Sequence, residues 1–275
     1  MTLYNNRLTF VTPAFTAGAN QNSPEVRAAS IRGQLRWWFR VLGGTPDQER
    51  LVFGGVHGDV YTSKLVVRVS AVAPVVAPSI TFSPMSDFGY IYYFAEVSGK
   101  KEGVHRTMQG SYFAPGTQFT LTVSERRPLS QRDRTLVGNA VDCFVRLGCL
   151  GLRSTRGCGA MTEEPLMSRA DFADWVRTLP RDIIIRCISE RVSRDWKSCQ
   201  EAMGGFLREF RKNHRLSGKA QSALGFSDGR ARESSAMHLR PVQLTEGYLP
   251  VVVYTDAACT QSSLSALVSA LPFRV

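Results

Sequence analysis

Trp196, Cys199, Met203, Phe206 and Phe210 recur at three- and four-residue intervals, the pitch of one helix face. That stripe makes 196–213 the strongest amphipathic helix in the chain, and it needs a second layer to cover it. Segments of the other period supply the layer. Residues 238–244 and 248–255 read as strands joined across Thr245-Glu246-Gly247, and Ile183-Ile184-Ile185 as a buried strand. Residues 262–271 close this half as a helix.

The first half repeats the mixture. Residues 7–11 alternate polar and apolar and predict a strand. A loop covers 12–24, and a helix runs from Ser30, read as its N-cap, to Gly43-Gly44. Its core stripe is Ile31, Leu35, Trp38 and Leu42. Strands are predicted over 64–72, 90–96 and 118–124, with a basic loop between the last two. A helix over 133–147 turns Val137, Val141, Phe144 and Leu147 inward, and a glycine-rich turn with a short strand follows. Allowing one inserted strand, this is the ferredoxin-like order. Ser168 and Asp171 form an S-x-x-D capping box that opens the next helix. The expected fold is therefore α+β, two tandem ferredoxin-like (RRM-like) domains with a glycine-rich loop. The boundary falls between 1–167, which holds that loop, and 168–275, a shorter unit.

A length of 275 residues agrees with about two domains. Net charge is +11, with 34 Lys and Arg against 23 Asp and Glu. Self-repulsion opposes folding, so such an excess points to a polyanionic partner, nucleic acid first and an anionic membrane surface second. No apolar run approaches the ~20 residues of a spanning helix. Residues 1–7 lack the apolar segment of a signal peptide, so the expected location is cytoplasmic. The six cysteines form no C-x-x-C pair and lie near no suitably spaced histidine, so reduced thiols and no metal are expected.

Three segments could meet a polyanion. On the first helix, Arg32, Arg36 and Arg40 fall at i, i+4 and i+8 with no local carboxylate after Glu25, a row of guanidiniums suited to phosphates, with Glu49 or an interface as the alternative for Arg40. Trp37 lies beside that row, and Trp38 belongs to the core. In the glycine-rich segment 148–159, outward-turned backbone N–H groups could form an anion nest, aided by Arg153, Ser154, Thr155, Arg156 and Gly157. It follows a helix and lacks G-K-[ST], so it is not a P-loop. The third is a polar loop carrying Arg230 and Arg232 into a strand.

Certain strings are more specific than these patterns. Thr12-Pro13-Ala14-Phe15-Thr16-Ala17-Gly18, Glu25-Val26-Arg27 and Ser30-Ile31-Arg32-Gly33-Gln34-Leu35-Arg36-Trp37-Trp38 closely resemble the N-terminal signature of the Cmr subunit one family. That family is a branch of the RAMP superfamily in type III-B CRISPR effectors. The resemblance continues through Glu49 and Phe53-Gly54, and recurs at the glycine-rich loop and over 230–242. It implies a non-catalytic subunit without cofactor that helps hold guide RNA (crRNA) and target RNA. Its expected neighbours are Cmr subunit six and the backbone subunit, and cleavage belongs to the backbone. It also implies RNA contacts at Arg32, Arg36, Arg153 and Arg156.

The enzymatic alternative is a guide-RNA-processing endoribonuclease of the same superfamily, which needs a general base near a ribose 2′-OH. His57 and His105 are its candidates. A metal-dependent nuclease would need clustered carboxylates, and the nearest pair, Asp47 and Glu49, reads as the start of a helix. A membrane-surface protein would need a basic amphipathic helix that is not evident.

Overall fold

The computed structural model describes all residues except 21, 57–59, 76–79, 84, 93–105, 109–111, 215–223, 225, 228–231, 234, 256–263, 272 and 275. In chain order the first half holds β1 (Thr2–Phe10), α1 (Ala28–Val41), α2 (Pro46–Phe53), β2 (Leu65–Ala73), β3 (Ile80–Phe82), α3 (Asp87–Tyr92), β4 (Arg106–Met108), β5 (Gln118–Glu125), α4 (Gln131–Leu147) and β6 (Met161–Glu163). The second half holds α5 (Arg169–Arg177), β7 (Ile183–Cys187), α6 (Trp196–Asn213), β8 (Phe226–Ser227), β9 (Arg232–Glu233), β10 (Met237–Leu244), β11 (Gly247–Thr255), α7 (Ser265–Ser269) and β12 (Phe273–Arg274).

Two four-stranded antiparallel sheets organise the protein. The first has the order β2-β5-β1-β6 and the second β10-β11-β7-β12. In each, a helix follows the first strand of the unit and another precedes the last. β3 and β4 pair only with each other and are inserted with α3 between β2 and β5. Leu8, Phe10, Phe119, Leu121 and Val123 turn one face of the first sheet toward Ile31, Leu35 and Trp38 of α1 and Val137, Val141 and Phe144 of α4. Fully burying a side chain of this size contributes about 1.5–3 kcal/mol.

The second sheet is buried on both faces. Val251 and Val253 of β11 join the first core, whereas Val252 and Tyr254 meet Met203, Leu207 and Phe210 of α6. Strict alternation on one strand therefore ties both layers together. Phe172 of α5 also enters the first core, so packing runs across residue 168 without a gap. Ser168 and Asp171 form the reciprocal cap expected for α5.

Several elements depart from the sequence reading. α1 starts at Ala28, and Ser30 lies in its first turn, donating its amide to the Arg27 carbonyl at 3.0 Å. The strand expected over 90–96 begins instead as helix α3, and residues 93–96 lie outside the described residues. Ser86 Oγ accepts from the Gly89 amide at 2.9 Å, and Phe88 and Tyr92 pack one turn apart in a tilted pair with centroids at 4.7 Å. α2 opens on a Thr45–Gln48 capping box with Pro46 in its first turn, and it brings Glu49 against α1.

Candidate nucleic-acid interface

The row Arg32, Arg36 and Arg40 lies on one side of α1, but it is not free of acid. The side chain of Glu49 is only 8% exposed and accepts from Arg36 Nε at 2.5 Å and Arg40 Nη1 at 2.8 Å. Burial alone would raise this carboxyl, yet the hydrogen bonds and charges of Arg40 and Arg36 hold it below the usual range. Arg32 donates to the Phe53 carbonyl at the end of α2. Arg32 and Arg36 therefore fasten α2 to α1. Arg40 keeps a side chain 47% exposed and reaches an adjoining cleft.

The glycine-rich loop is fixed by backbone bonds. Leu150 donates to the Gly159 carbonyl at 2.9 Å, and Leu239 of β10 donates to the Thr155 carbonyl at 3.0 Å. Gly159 has φ +71, and a Cβ there would meet the Leu150 carbonyl oxygen at 2.0 Å. The Gly157 carbonyl accepts from Thr12 Oγ1 at 2.8 Å and Gln200 Nε2 at 2.9 Å. Arg156 turns inward, 5% exposed, and donates to Ser235 Oγ at 3.3 Å and to the carbonyls of Met237 (3.2 Å) and Leu224. It holds the loop to the strand beneath rather than presenting its charge on the loop surface. Arg153 adopts φ +59 and is half-buried.

Between α1, the loop and β10 lies an open cleft of about 490 Å³. Trp37, Arg40, Ser154, Thr155, His238 and Arg240 contribute to its walls, and among the described residues no carboxylate does. Arg240 is 3% exposed and donates to the Ser154 carbonyl, the Leu239 carbonyl at 3.1 Å, Cys149 Sγ at 3.4 Å and His238 Nδ1 at 2.8 Å. Its Nε has no hydrogen-bond partner among the described residues. Burial raises the Cys149 thiol against the partial offset of Arg240, so the sulfur is a neutral acceptor. No described carboxylate pairs with this buried guanidinium.

A guanidinium only donates and a carbonyl only accepts, so the two contacts of His238 fix its tautomer. Nδ1 accepts from Arg240, and Nε2 carries the proton and donates to the Ser235 carbonyl at 2.8 Å. Burial first, then the charge of Arg240, pushes this imidazole well below its ordinary pKa. The neutral ring stacks on Trp37 with centroids 4.9 Å apart and planes at 22°.

Of the residues singled out from the sequence, Trp37, Arg40, Ser154 and Thr155 meet at the cleft. Arg32 and Arg36 serve α2, and Arg156 and Gly157 serve the loop's own architecture. Arg230, His57 and His105 lie outside the described residues, and for Arg232 only the backbone, in β9, is described. Sequence reasoning passed over His238 and Arg240. The signal was a basic pair inside an otherwise apolar strand, where a buried charge is costly unless something compensates it. Among the described residues there is no group of three or more His, Cys, Asp or Glu placed to hold a metal, and no helix is long and apolar enough to cross a membrane.

An α+β protein of two antiparallel sheets with a basic cleft beside a glycine-rich loop defines a class of fold rather than one activity. The particular lineage follows from comparison. Residues 7–162 match the RAMP superfamily, and the chain belongs to it. It is 31% identical over 150 residues to the CRISPR system Cmr subunit Cmr1-1 of Pyrococcus furiosus, a match covering 50% of this chain and 40% of that protein. The fold resembles the crystal structure of Cmr1 from Pyrococcus furiosus in its apo form, with TM-score 0.61, 18% identity, and 94% of this chain and 88% of that one covered. It also resembles a chain of a type III-B Cmr-beta complex bound to cognate target RNA and AMPPnP in the presence of ssDNA, with TM-score 0.56, 10% identity and coverage of 91% and 93%.

Proposed function

We propose that this protein is a non-catalytic, RNA-holding subunit of a type III, Cmr-like CRISPR effector in the cytoplasm. Its cleft grips the sugar–phosphate backbone of guide or target RNA, alongside a Cmr-type backbone subunit and a subunit-six homologue. The observation that carries this reading is Arg240, a buried guanidinium that lines an open cleft without a carboxylate partner among the described residues. An anion in the cleft would compensate it, and Arg40, Ser154 and Thr155 add the donor types that usually meet phosphate and ribose. The likeness to Cmr1 and to a chain of a target-RNA-bound Cmr complex supports the choice of RNA as that anion. The order of strands and helices in each sheet supports tandem ferredoxin-like modules over 1–167 and 168–275.

The histidine chemistry supports a holding role. Both ring nitrogens of His238 are occupied within the protein, so it has no free site for the proton transfer that RNA cleavage needs. The test is to incubate the purified chain with single-stranded RNA, with and without divalent metal, and then to reconstitute it with guide RNA and Cmr-type subunits. The chain alone should leave RNA intact, and its omission should weaken target retention by the assembly. Cutting by the isolated chain, or target retention indifferent to its omission, would overturn the reading.

A further inference from the structure

The second sheet is covered on both sides, but among the described residues nothing packs on one face of the first. Alternation that sends Leu8, Phe10, Phe119, Leu121 and Val123 into the core turns Asn5, Arg7 and Thr9 of β1 to the other side. Gln118, Thr120, Thr122 and Ser124 of β5 and Val66, Arg68 and Ser70 of β2 share that side. Register sets them in rows: Asn5–Thr122–Arg68, then Arg7–Thr120–Ser70. Thr122 Oγ1 donates to Asn5 Oδ1 at 2.8 Å, which braces the middle of the face. Both carboxylates borne by these strands point to the helical side. Glu125 pairs there with Arg134 at 2.6 Å, and Glu163 accepts from Tyr4 Oη at 2.7 Å and Asn6 Nδ2 at 3.0 Å.

Among the described residues, what remains outside is positive charge without a carboxylate beside it. Arg7 and Arg68 are exposed and have no hydrogen-bond or ion-pair partner among the described residues. They sit two strands and one two-residue step apart, which places their backbones about 12 Å from each other. We infer that this face is a second contact for an RNA sugar–phosphate backbone, separate from the cleft on the helical side. It takes only its class of ligand from the RNA-holding reading. Guanidinium, hydroxyl and amide groups are the set that meets phosphate and ribose. A protein interface shares the enrichment in Arg but also centres on aromatic or Met side chains, and these positions offer one valine and no aromatic. Without a ring to stack on, the contact holds backbone and does not splay bases.

The test is the salt dependence of binding of oligouridine RNA to the full chain. Arg7→Ala with Arg68→Ala should weaken binding and flatten the slope of log K against log salt by ~1.4, and Arg7→Lys with Arg68→Lys should restore most of it. The change should add to that of Arg40→Ala at the cleft. A folded double variant with the wild-type slope overturns the inference. So does a double variant that keeps its RNA slope but drops out of a reconstituted assembly, since the face is then a protein surface. If only the sheet variants lose RNA and Arg40→Ala is silent, the sheet contact stands and the cleft reading fails.

Discussion

Arg240 donates to Nδ1 of His238 across 2.8 Å, and burial together with this neighbouring charge keeps the imidazole that stacks on Trp37 neutral. A pH dependence follows. In the unfolded chain the ring takes up a proton below about pH 6.5, whereas in the fold its pKa is pushed well down. The unfolded state then binds more protons, so this residue's contribution is fully present above that pH and is lost as pH falls toward the folded value. His238→Asn keeps an acceptor that can face Arg240 and removes the titration. Urea unfolding should show the wild type losing more stability than the variant on going from neutral to mildly acidic pH. Equal losses would contradict the assignment.

Arg36 and Glu49 make a second structural claim, because the guanidinium that looks like an RNA ligand braces two helices. Arg36→Ala removes a hydrogen bond to a carboxylate whose side chain is 8% exposed and should cost roughly 1–3 kcal/mol of stability. Since that carboxyl is held below its usual range, its contribution is present above the ordinary carboxylate pKa and disappears in acid. Chemical denaturation of Arg36→Ala at neutral pH is the check. A variant as stable as wild type with unchanged α2 would show that Glu49 does not depend on this pair.

The loop makes a prediction of opposite signs for two glycines. Gly159→Ala forces a Cβ to 2.0 Å from the Leu150 carbonyl oxygen at φ +71, so it should destabilise the protein and weaken RNA binding. Gly138 sits in α4 with nothing within 4 Å of an added Cβ, and Gly138→Ala should stabilise by roughly 0.5–1 kcal/mol. Thermal unfolding of both variants separates the cases. A tolerant Gly159 would mean that the loop can relax without loss.

Local patterns made some of this legible. The stripe from Trp196 to Phe210 gave α6 its full extent, helped by Asp195, whose carboxylate caps the Ser198 amide at 2.8 Å. β10 and β11 were legible as two apolar segments with a turn between them. α3 was missed because Ile91 and Tyr92 are consecutive buried residues of strand-like type, while the device that makes a helix, the Ser86 hydroxyl, lies upstream. The arginine row was visible, and the sequence offered Glu49 as an alternative partner for Arg40, but not its hold on Arg36. Glu49 is nine residues beyond Arg40 on another helix, and only tertiary packing brings it back. Arg156 and Arg240 exchanged expectations for a similar reason. A loop arginine is read as exposed and a strand arginine as incidental, but the bonding of the loop along β10 buries the first and brings the second to the cleft wall.

The central claim, that this cleft holds an RNA backbone, is most directly tested by RNA affinity across a salt series for Arg40→Ala and Thr155→Glu. Arg40→Ala should flatten the slope of log K against log salt by ~0.7, one phosphate contact. Thr155→Glu puts a carboxylate into a cleft that has none among the described residues and leaves the Thr155 backbone bond to Leu239 in place, so it should abolish most binding while the protein stays folded. Two folded variants with wild-type affinity and slope would contradict the account.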